Sequence, residues 1–274
     1  MQALDAILSA TPATDPWPAR RQRTDELASR YPHAAEMLRL YRALLDPMAD
    51  AFDAARADGP AHADLPLFAV QRVLPGIIDA TIEAGPSVLR DGVIALFASA
   101  DPEGLMQHWI NSEALLPVET YLARAACGPL LEALAFESIC LPRSRGRAGE
   151  GASRCGSCGG LPQLSYHALS GEPLVSGPRY LLCSRCSQSW VFSRMTCASC
   201  GESNGTRLPI YQEAERFPHA RVDGCSTCRR YLLTFDLRRD SRAVPIVDEL
   251  ACLPLDLYAR DQGLTKIAPN LMGN

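Results

Sequence analysis

The sequence predicts an α+β protein with an all-α N-terminal domain, two tandem metal-binding β modules of the zinc-ribbon type and a C-terminal helix. Three observations lead to this prediction. Apolar residues recur at helical spacing up to about residue 140, four Cys-x-x-Cys pairs follow between residues 155 and 228, and helical periodicity returns after residue 242. Because 47% of the 274 residues are hydrophobic, the chain can bury a sizeable core.

The N-terminal domain is assigned to residues 1–142 and is expected to hold about six helices. Residues 1–18 carry three prolines and are expected to form a loose arm. Pro47 is expected to kink or break the second helix, and Asp101-Pro102-Glu103 is a favourable helix start. Cys127 and Cys140 are interpreted as buried apolar residues. The predicted helices are Arg20–Tyr31, Ala34–Ala57, Leu67–Ala84, Val88–Ala98, one starting at Asp101 and Pro117–Ile139.

Residues 143–153 are rich in Arg, Gly and Ser and contain no large apolar side chain, so they are predicted to be a linker. The first ribbon is assigned to residues 154–194 and the second to residues 195–242. Residues 243–274 form the C-terminal helix and tail, with the helix over Val244–Gln262 ending at Gly263. The ribbon strands are predicted at Leu164–Ala168, Tyr180–Leu182, Trp190–Phe192, Leu208–Tyr211, Arg221–Val222 and Tyr231–Phe235.

The four Cys-x-x-Cys pairs, called knuckles below, form an internal repeat. Each repeat places 28 positions between the first cysteines of its two knuckles, and 42 positions separate equivalent knuckles. Duplication of one metal-binding unit is the simplest explanation. The candidate metal ligands are Cys155, Cys158, Cys183, Cys186, Cys197, Cys200, Cys225 and Cys228.

Tetrahedral binding of zinc or iron requires four thiolates, and two residues between cysteines let one turn present two sulfurs to one ion. Gly159 and Gly201 follow their knuckles and suit a turn that needs positive φ. The repeat favours pairing the first knuckle with the second and the third with the fourth. Pairing of the second with the third stays open, because only residues 187–196 separate them. Two metal ions per chain are therefore predicted.

Other interpretations of these cysteines are weaker. The N-terminus lacks a secretory signal and no apolar run is judged long enough to span a membrane, so disulfides are disfavoured and the cytoplasm is the expected compartment. No βαβ pattern surrounds a knuckle, as a thioredoxin-like redox site would need. Cys252 is interpreted as a core residue.

The charge distribution separates the two halves of the chain. Residues 143–242 contain 15 Arg and 8 acidic residues, whereas the rest of the chain is acidic. A basic ribbon half raises nucleic-acid binding as an alternative, although no run of basic and aromatic residues suits base stacking. His167 and His219 are interpreted as surface histidines. No hydrolase, transferase or phosphate-loop pattern is present, and the chain is predicted not to be an enzyme.

The run from Tyr180 to Trp190 together with Arg194-Met-Thr-Cys-Ala-Ser-Cys-Gly201 resembles the centre of the FdhE family, the formate dehydrogenase accessory proteins. Cys225-Ser-Thr-Cys-Arg-Arg-Tyr-Leu232 resembles the fourth knuckle of that family, and Asp248–Ala251, Leu255–Leu257, Gly263 and Asn270 resemble its C-terminal helix and tail. The resemblance implies a cytoplasmic assembly factor that acts on the formate dehydrogenase catalytic subunit before export. It also implies rubredoxin-like sites and favours iron, although zinc fits the same ligands.

Three function classes follow: an assembly factor that binds the catalytic subunit, a nucleic-acid-binding ribbon protein, and a rubredoxin-like electron carrier. The large helical domain favours the first class. The chain is predicted to bind no nucleic acid and not to insert into a membrane. The oligomeric state stays open. Candidates for contacts to an acidic partner surface are Arg185, Arg194, Arg229 and Arg230.

Overall fold

A computed structural model describes residues 15–61, 64–97, 101–140, 152–168 and 177–274, with side chains of residues 136–140 excepted. In this part of the chain, a helical body precedes one β-sheet with two clusters of four cysteines, and two helices follow the sheet. The predicted fold class is confirmed. The predicted linker at 143–153 lies almost wholly outside the described residues, and the domain boundaries stay predictions.

The helical body surrounds α2 and α7, which pack against each other and against most of the other helices. Their apolar stripes supply much of the core, including Leu44 and Phe52 from α2 and Leu122 and Leu130 from α7. Asp101 caps α6 by accepting a hydrogen bond from the Gly104 amide, as predicted. The helices are α1 (Trp17–Arg30), α2 (Ala35–Asp58), α3 (Leu65–Phe68), α4 (Leu74–Ala84), α5 (Ser87–Phe97), α6 (Pro102–Ile110) and α7 (Pro117–Cys140), with a 3-10 turn at Pro32–Ala34.

Helix α2 is 24 residues long and continues through Pro47, so the helix does not break at this proline. Proline removes one backbone donor, and tertiary packing of the helix can offset that loss. Gly76 on α4 lies against Pro47, since a Cβ at Gly76 would approach the Pro47 Cβ to 2.9 Å. The close packing of α2 and α4 therefore occurs at the proline itself.

Helices α3 and α4 form one run with a π-helical segment, Ala69–Val73, between them. Pro75 cannot donate to the carbonyl one turn earlier, and the π segment lies where the helix must adjust to it. The run Leu65–Ala84 is long and apolar enough to cross a membrane by length and composition, so the expectation that no segment reaches that length is wrong. Its residues Val73 and Ile77 are buried, and it packs on α2 and α7 as a core helix of the body.

The two repeats join in a single seven-stranded sheet with the order β3-β2-β1-β6-β5-β4, and β7 pairs with β6 outside this path. Most pairs are antiparallel, but β1–β6 and β6–β7 are parallel, and in the first of these Leu164 lies opposite Leu233 and His167 opposite Asp236. The strands are β1 (Pro162–His167), β2 (Arg179–Cys183), β3 (Ser189–Phe192), β4 (Ile210–Tyr211), β5 (Ala220–Gly224), β6 (Arg230–Asp236) and β7 (Thr265–Lys266).

The C-terminal region contains two helices, α8 (Pro245–Ala251) and α9 (Leu253–Asp261), where the sequence predicted one. Pro254 cannot donate to a carbonyl one turn earlier but is tolerated in the first turn of a helix, so α8 ends at Ala251 and α9 begins at Leu253. Gly263 follows α9 with φ +70°, as predicted for a helix C-terminus. Helix α8 packs on α1, and the core extends without interruption from the helical body to the sheet.

Candidate metal centres

The structure assembles the eight cysteines into two groups. The first cluster contains Cys155, Cys158, Cys183 and Cys186, and the second contains Cys197, Cys200, Cys225 and Cys228. Within each cluster all four sulfurs lie within 4.8 Å of one another. The pairing of the first knuckle with the second and of the third with the fourth is therefore confirmed.

All four knuckles share one backbone conformation. The residue after the second cysteine has positive φ in each: Gly159 (71°), Ser187 (53°), Gly201 (79°) and Arg229 (58°). The first cysteine of each knuckle donates its amide hydrogen to the carbonyl five residues later, over 2.8–2.9 Å. This turn directs both sulfurs of a knuckle to the same side, which explains the need for the Cys-x-x-Cys spacing. The sequence predicted the positive φ at the glycines but not at Ser187 or Arg229.

The sulfur positions suit a tetrahedral ion. Between the two knuckles of the first cluster, the Sγ atoms of Cys158 and Cys183 are 3.4 Å apart and those of Cys155 and Cys186 are 3.6 Å apart. The corresponding distances in the second cluster are 3.7 and 3.8 Å. A tetrahedron with metal–sulfur bonds of about 2.3 Å has edges of about 3.8 Å. Each cluster can therefore hold one metal ion, while the assignment of individual ligands stays a prediction.

Backbone amides and neighbouring thiols contact the sulfurs and shift the pKa values of the cysteines. The amides of Arg185 and Ser199 lie 3.4 Å from the sulfurs of Cys183 and Cys197. Hydrogen bonds with the other three cysteines of the first cluster lower the pKa of Cys155. Cys186 takes part in the same set of hydrogen bonds, and these raise its pKa. Four thiols so close share protons unequally, and a divalent ion would deprotonate all of them.

The two clusters differ in exposure. In the first cluster three cysteines are buried and Cys158 is half-buried. In the second cluster Cys200 is exposed and Cys228 is half-buried, and that cluster lies away from the helical body. Cys127 and Cys252 are buried outside both clusters, and burial raises the pKa of Cys127 to about 12. Both are core residues, as predicted, whereas the Cys140 side chain lies outside the described atoms.

The arginines near the knuckles have partners within the chain, which the sequence did not indicate. Arg185 donates to the carbonyls of Trp109 and Ile110 at the end of α6. Arg229 donates to the carbonyl of Gln262 at 2.6 Å, and Arg194 donates to that of Gly177. Of the four arginines proposed for partner contacts, Arg230 alone makes no side-chain hydrogen bond or ion pair within the described residues.

The interpretation of His167 and His219 as surface histidines is wrong, because both are buried. His219 lies 2.8 Å from a carboxylate oxygen of Asp248, which also binds Arg23 of α1. Strand alternation did not indicate burial of His167, because it lies on the face of β1 opposite to Leu164 and Tyr166 and shares its face with polar residues, and no local pattern indicated its partners.

A second buried polar group joins the sheet to the helices. Lys266, the only lysine in the sequence, lies 2.7 Å from Glu249 and 3.0 Å from Asp256. Gln163 of β1 donates to Glu249 and accepts from Arg124 of α7. The opposite charges offset the cost of burial for one another. The first ribbon is therefore fixed to α7 and α8 by polar contacts as well as by apolar packing.

The chain is similar to known proteins in sequence and in fold. Residues 195–272 match the family model of the FdhE C-terminal domain. Over 95% of its length the chain is 29% identical to the FdhE homolog of Pseudomonas aeruginosa, and the alignment covers 91% of that protein. It is 33% identical to the FdhE homolog of Aquifex aeolicus over 119 residues, but these span only 41% of that relative. The crystal structure of the FdhE protein from Pseudomonas aeruginosa matches 95% of the chain with a TM-score of 0.68 at 23% identity, which shows a common fold.

Proposed function

We propose that the chain is a member of the FdhE family, that it is an accessory protein for the assembly of formate dehydrogenase, and that it binds the catalytic subunit of this enzyme. The observation that carries the proposal is the set of FdhE-like knuckles and C-terminal tail, within a fold that matches an FdhE crystal structure. We assign no catalytic reaction to the chain. Unbonded cysteines suit a reducing compartment, and we assign the protein to the cytoplasm.

We propose that the eight clustered cysteines bind two metal ions, one in each cluster. Four thiolates complete a tetrahedral shell, so a bound ion has no open position for substrate and would act by holding two knuckles together. Four sulfurs accept zinc or iron, and the family resemblance favours iron. Elemental analysis of protein purified without oxygen should give about two ions per chain, with iron predominant in iron-replete cells. A colourless protein that contains zinc alone would reject the assignment to iron.

A groove at the junction of the helical body and the first ribbon is the proposed docking site. Its volume is about 910 Å³, and its walls are mainly apolar. Met37, Val88 and Leu89 contribute from the helices, residues in or next to both knuckles of the first cluster contribute from the ribbon, and the tail over residues 268–274 lines one side. Concave apolar sites between structural units are typical binding sites. We propose that the groove takes an apolar segment of the catalytic subunit.

Co-purification with the catalytic subunit tests this proposal. Val88 lies on the groove and is 83% exposed, whereas Ile94 lies on the same helix outside the groove and is 57% exposed. Val88→Asp should weaken the complex about tenfold or more, and Ile94→Asp should leave it unchanged. Equal binding by both variants would reject the groove. Wild-type protein that fails to bind the subunit but binds nucleic acid in low salt would reject the assembly role.

The position of the groove also makes binding depend on one cluster more than on the other. Gly159, Gly160 and Ser184 of the first cluster line it, and no cysteine or knuckle residue of the second cluster does. Cys158→Ser should therefore abolish capture of the catalytic subunit, while Cys200→Ser should reduce it much less. Equal loss from both variants would mean that the metal sites only maintain the overall fold.

A further inference from the structure

A second cavity, called the arginine cavity below, lies across the sheet on the side of the second cluster. Its volume is about 280 Å³. It is distinct from the apolar groove, because the two share no lining residue. Strands β1, β2, β5 and β6 and the chain around them supply its histidine and its arginines, which are His167, Arg179, Arg194, Arg221, Arg230 and Arg238.

Positive charge dominates this cavity. Asp223 is the acidic residue among its described lining residues, and it already binds Arg221 at 2.8 Å and Arg179 at 3.5 Å. Asp236, outside the lining, binds Arg238 at 2.6 Å. Five arginines against these two carboxylates leave three positive charges in excess. A filled second cluster, with four thiolates and a divalent ion, offsets two of them and leaves the cavity positive.

Arg179 is held in the cavity wall by the fold. It is buried, and it donates to the carbonyls of Ser193 and Thr196 and to the Ser165 hydroxyl. Its position is set before any ligand arrives, which lowers the entropic cost of binding. Arg194 and Arg230 are exposed at the rim of the cavity, where their side chains can reorient towards a bound ligand.

His167 lies in the cavity wall, and its pKa is affected by two of the arginines there. Its side chain is 6% exposed, and burial together with Arg221 and Arg194 lowers its pKa to about 4. The ring is therefore neutral near pH 7, and its Nε2 lies 3.5 Å from a guanidinium nitrogen of Arg221, which can only donate. We assign the ring proton to Nδ1, which has no hydrogen-bond partner in the described part of the chain. An unmatched donor in a cavity with excess positive charge favours an acceptor-rich ligand.

We propose that the arginine cavity binds a small, multiply charged oxyanion of the phosphate class, either free phosphate or the phosphate group of a small molecule. Arginine presents paired donors that match phosphate oxygens, and several arginines around one cavity favour a charge above that of a carboxylate. The volume accommodates a phosphate with a small organic substituent but not a folded partner. Tyr231, the aromatic residue on the described wall, is buried, so the cavity lacks a platform for stacking bases of nucleic acid.

Calorimetry of the metal-loaded full-length protein in chloride buffer at fixed ionic strength tests the proposal. The probes are inorganic phosphate, ribose 5-phosphate, glutarate and a twelve-nucleotide single-stranded DNA. Phosphate or the phosphomonoester should bind saturably and more tightly than glutarate. Tighter binding of ribose 5-phosphate would identify a phosphorylated small molecule, and equal binding would identify free phosphate.

The double variant Arg194→Gln/Arg230→Gln should weaken phosphate binding about tenfold or more, since it removes two charged donors. The matched control is Arg239→Gln, which changes an exposed arginine outside the cavity. Metal content confirms that both variants are intact, and Arg238→Gln replaces the double variant if that one loses metal. Absence of saturable phosphate binding, or equal affinity in variant and control, would overturn the proposal. Binding to the DNA alone, weakened equally by Arg239→Gln, would also overturn it.

Discussion

Arg185 stacks on Trp109, with its guanidinium carbon 4.7 Å from the centre of the indole ring. The same guanidinium donates to the Trp109 and Ile110 carbonyls at 3.0 and 2.7 Å and to the Ser112 hydroxyl at 2.7 Å. A residue between two candidate metal ligands thus satisfies the last carbonyls of α6, where a cation is favoured by the helix dipole. The first cluster is thereby attached to the helical body.

Loss of this attachment should lower stability. Arg185→Ala should reduce the free energy of unfolding by about 2 kcal/mol, because it removes charged hydrogen bonds and the stacking on Trp109. Urea unfolding of the metal-loaded protein measures the change. Arg154→Ala is the matched control, since Arg154 contacts the Gly159 carbonyl of the same cluster but is exposed. An equal effect of both substitutions would show that the contact to α6 contributes little.

The second cluster should lose its metal first. Cys200 is exposed there, whereas the first cluster has three buried cysteines and the core beside it. Under excess chelator, metal release should be biphasic, with the first ion lost at least several-fold faster than the second. Thiol labelling followed by peptide mapping should find Cys200 and Cys228 modified in the fast phase. Release of both ions in one phase, or early labelling of Cys158, would contradict this expectation.

Gly160 should be required at the first cluster. A Cβ at this position would lie 2.7 Å from the Cys183 sulfur, closer than any real contact allows. Gly160→Ala should therefore displace that sulfur and lower metal occupancy of the first cluster by half or more. The equivalent position in the second repeat is Glu202, 42 residues later, so Glu202→Ala is a natural control and should leave both sites filled. Full occupancy in Gly160→Ala would show that the knuckle adjusts freely.

Acid should destabilise the fold through His167. The pKa of this histidine is lowered to about 4 in the folded chain, compared with about 6.5 when unfolded. Its contribution to stability is complete above the unfolded value and is lost as the pH falls from about 6.5 towards 4, because the unfolded chain takes up the proton first. The full loss is on the order of 3 kcal/mol. His167→Gln should reduce the pH dependence between pH 7 and pH 5, measured by urea unfolding in phosphate-free buffer. Identical slopes for both proteins would contradict the shift.

The parts of the structure that follow from local rules were predictable. Cysteine spacing predicted the clusters, and the motif at Asp101 predicted the start of α6, because each depends on a few neighbouring residues. The split between α8 and α9 also has a local cause, because Pro254 cannot donate to a carbonyl one turn earlier. Local rules therefore describe the knuckles and most helices.

Long-range pairing was not predictable from one sequence. The parallel alignment of Leu164 with Leu233 joins residues from different repeats. Lys266 and Glu249 are residue types usually found on the surface, and each can be buried here because it forms an ion pair with the other. The arginine cavity has the same origin, since its side chains come from four strands and the chain around them and meet only in the completed sheet.

The parallel pair β1–β6 lies in the middle of the sheet order, so each repeat covers a strand of the other. A fragment that contains only one repeat would present a strand with one unpaired edge, whose backbone donors and acceptors are open to another chain. Such edges promote strand exchange and aggregation. A chain that ends at residue 194 should therefore expose the edge of β1 and associate through it with a second copy. During synthesis, the edge of β1 therefore stays unpaired until β6 of the second repeat has been made.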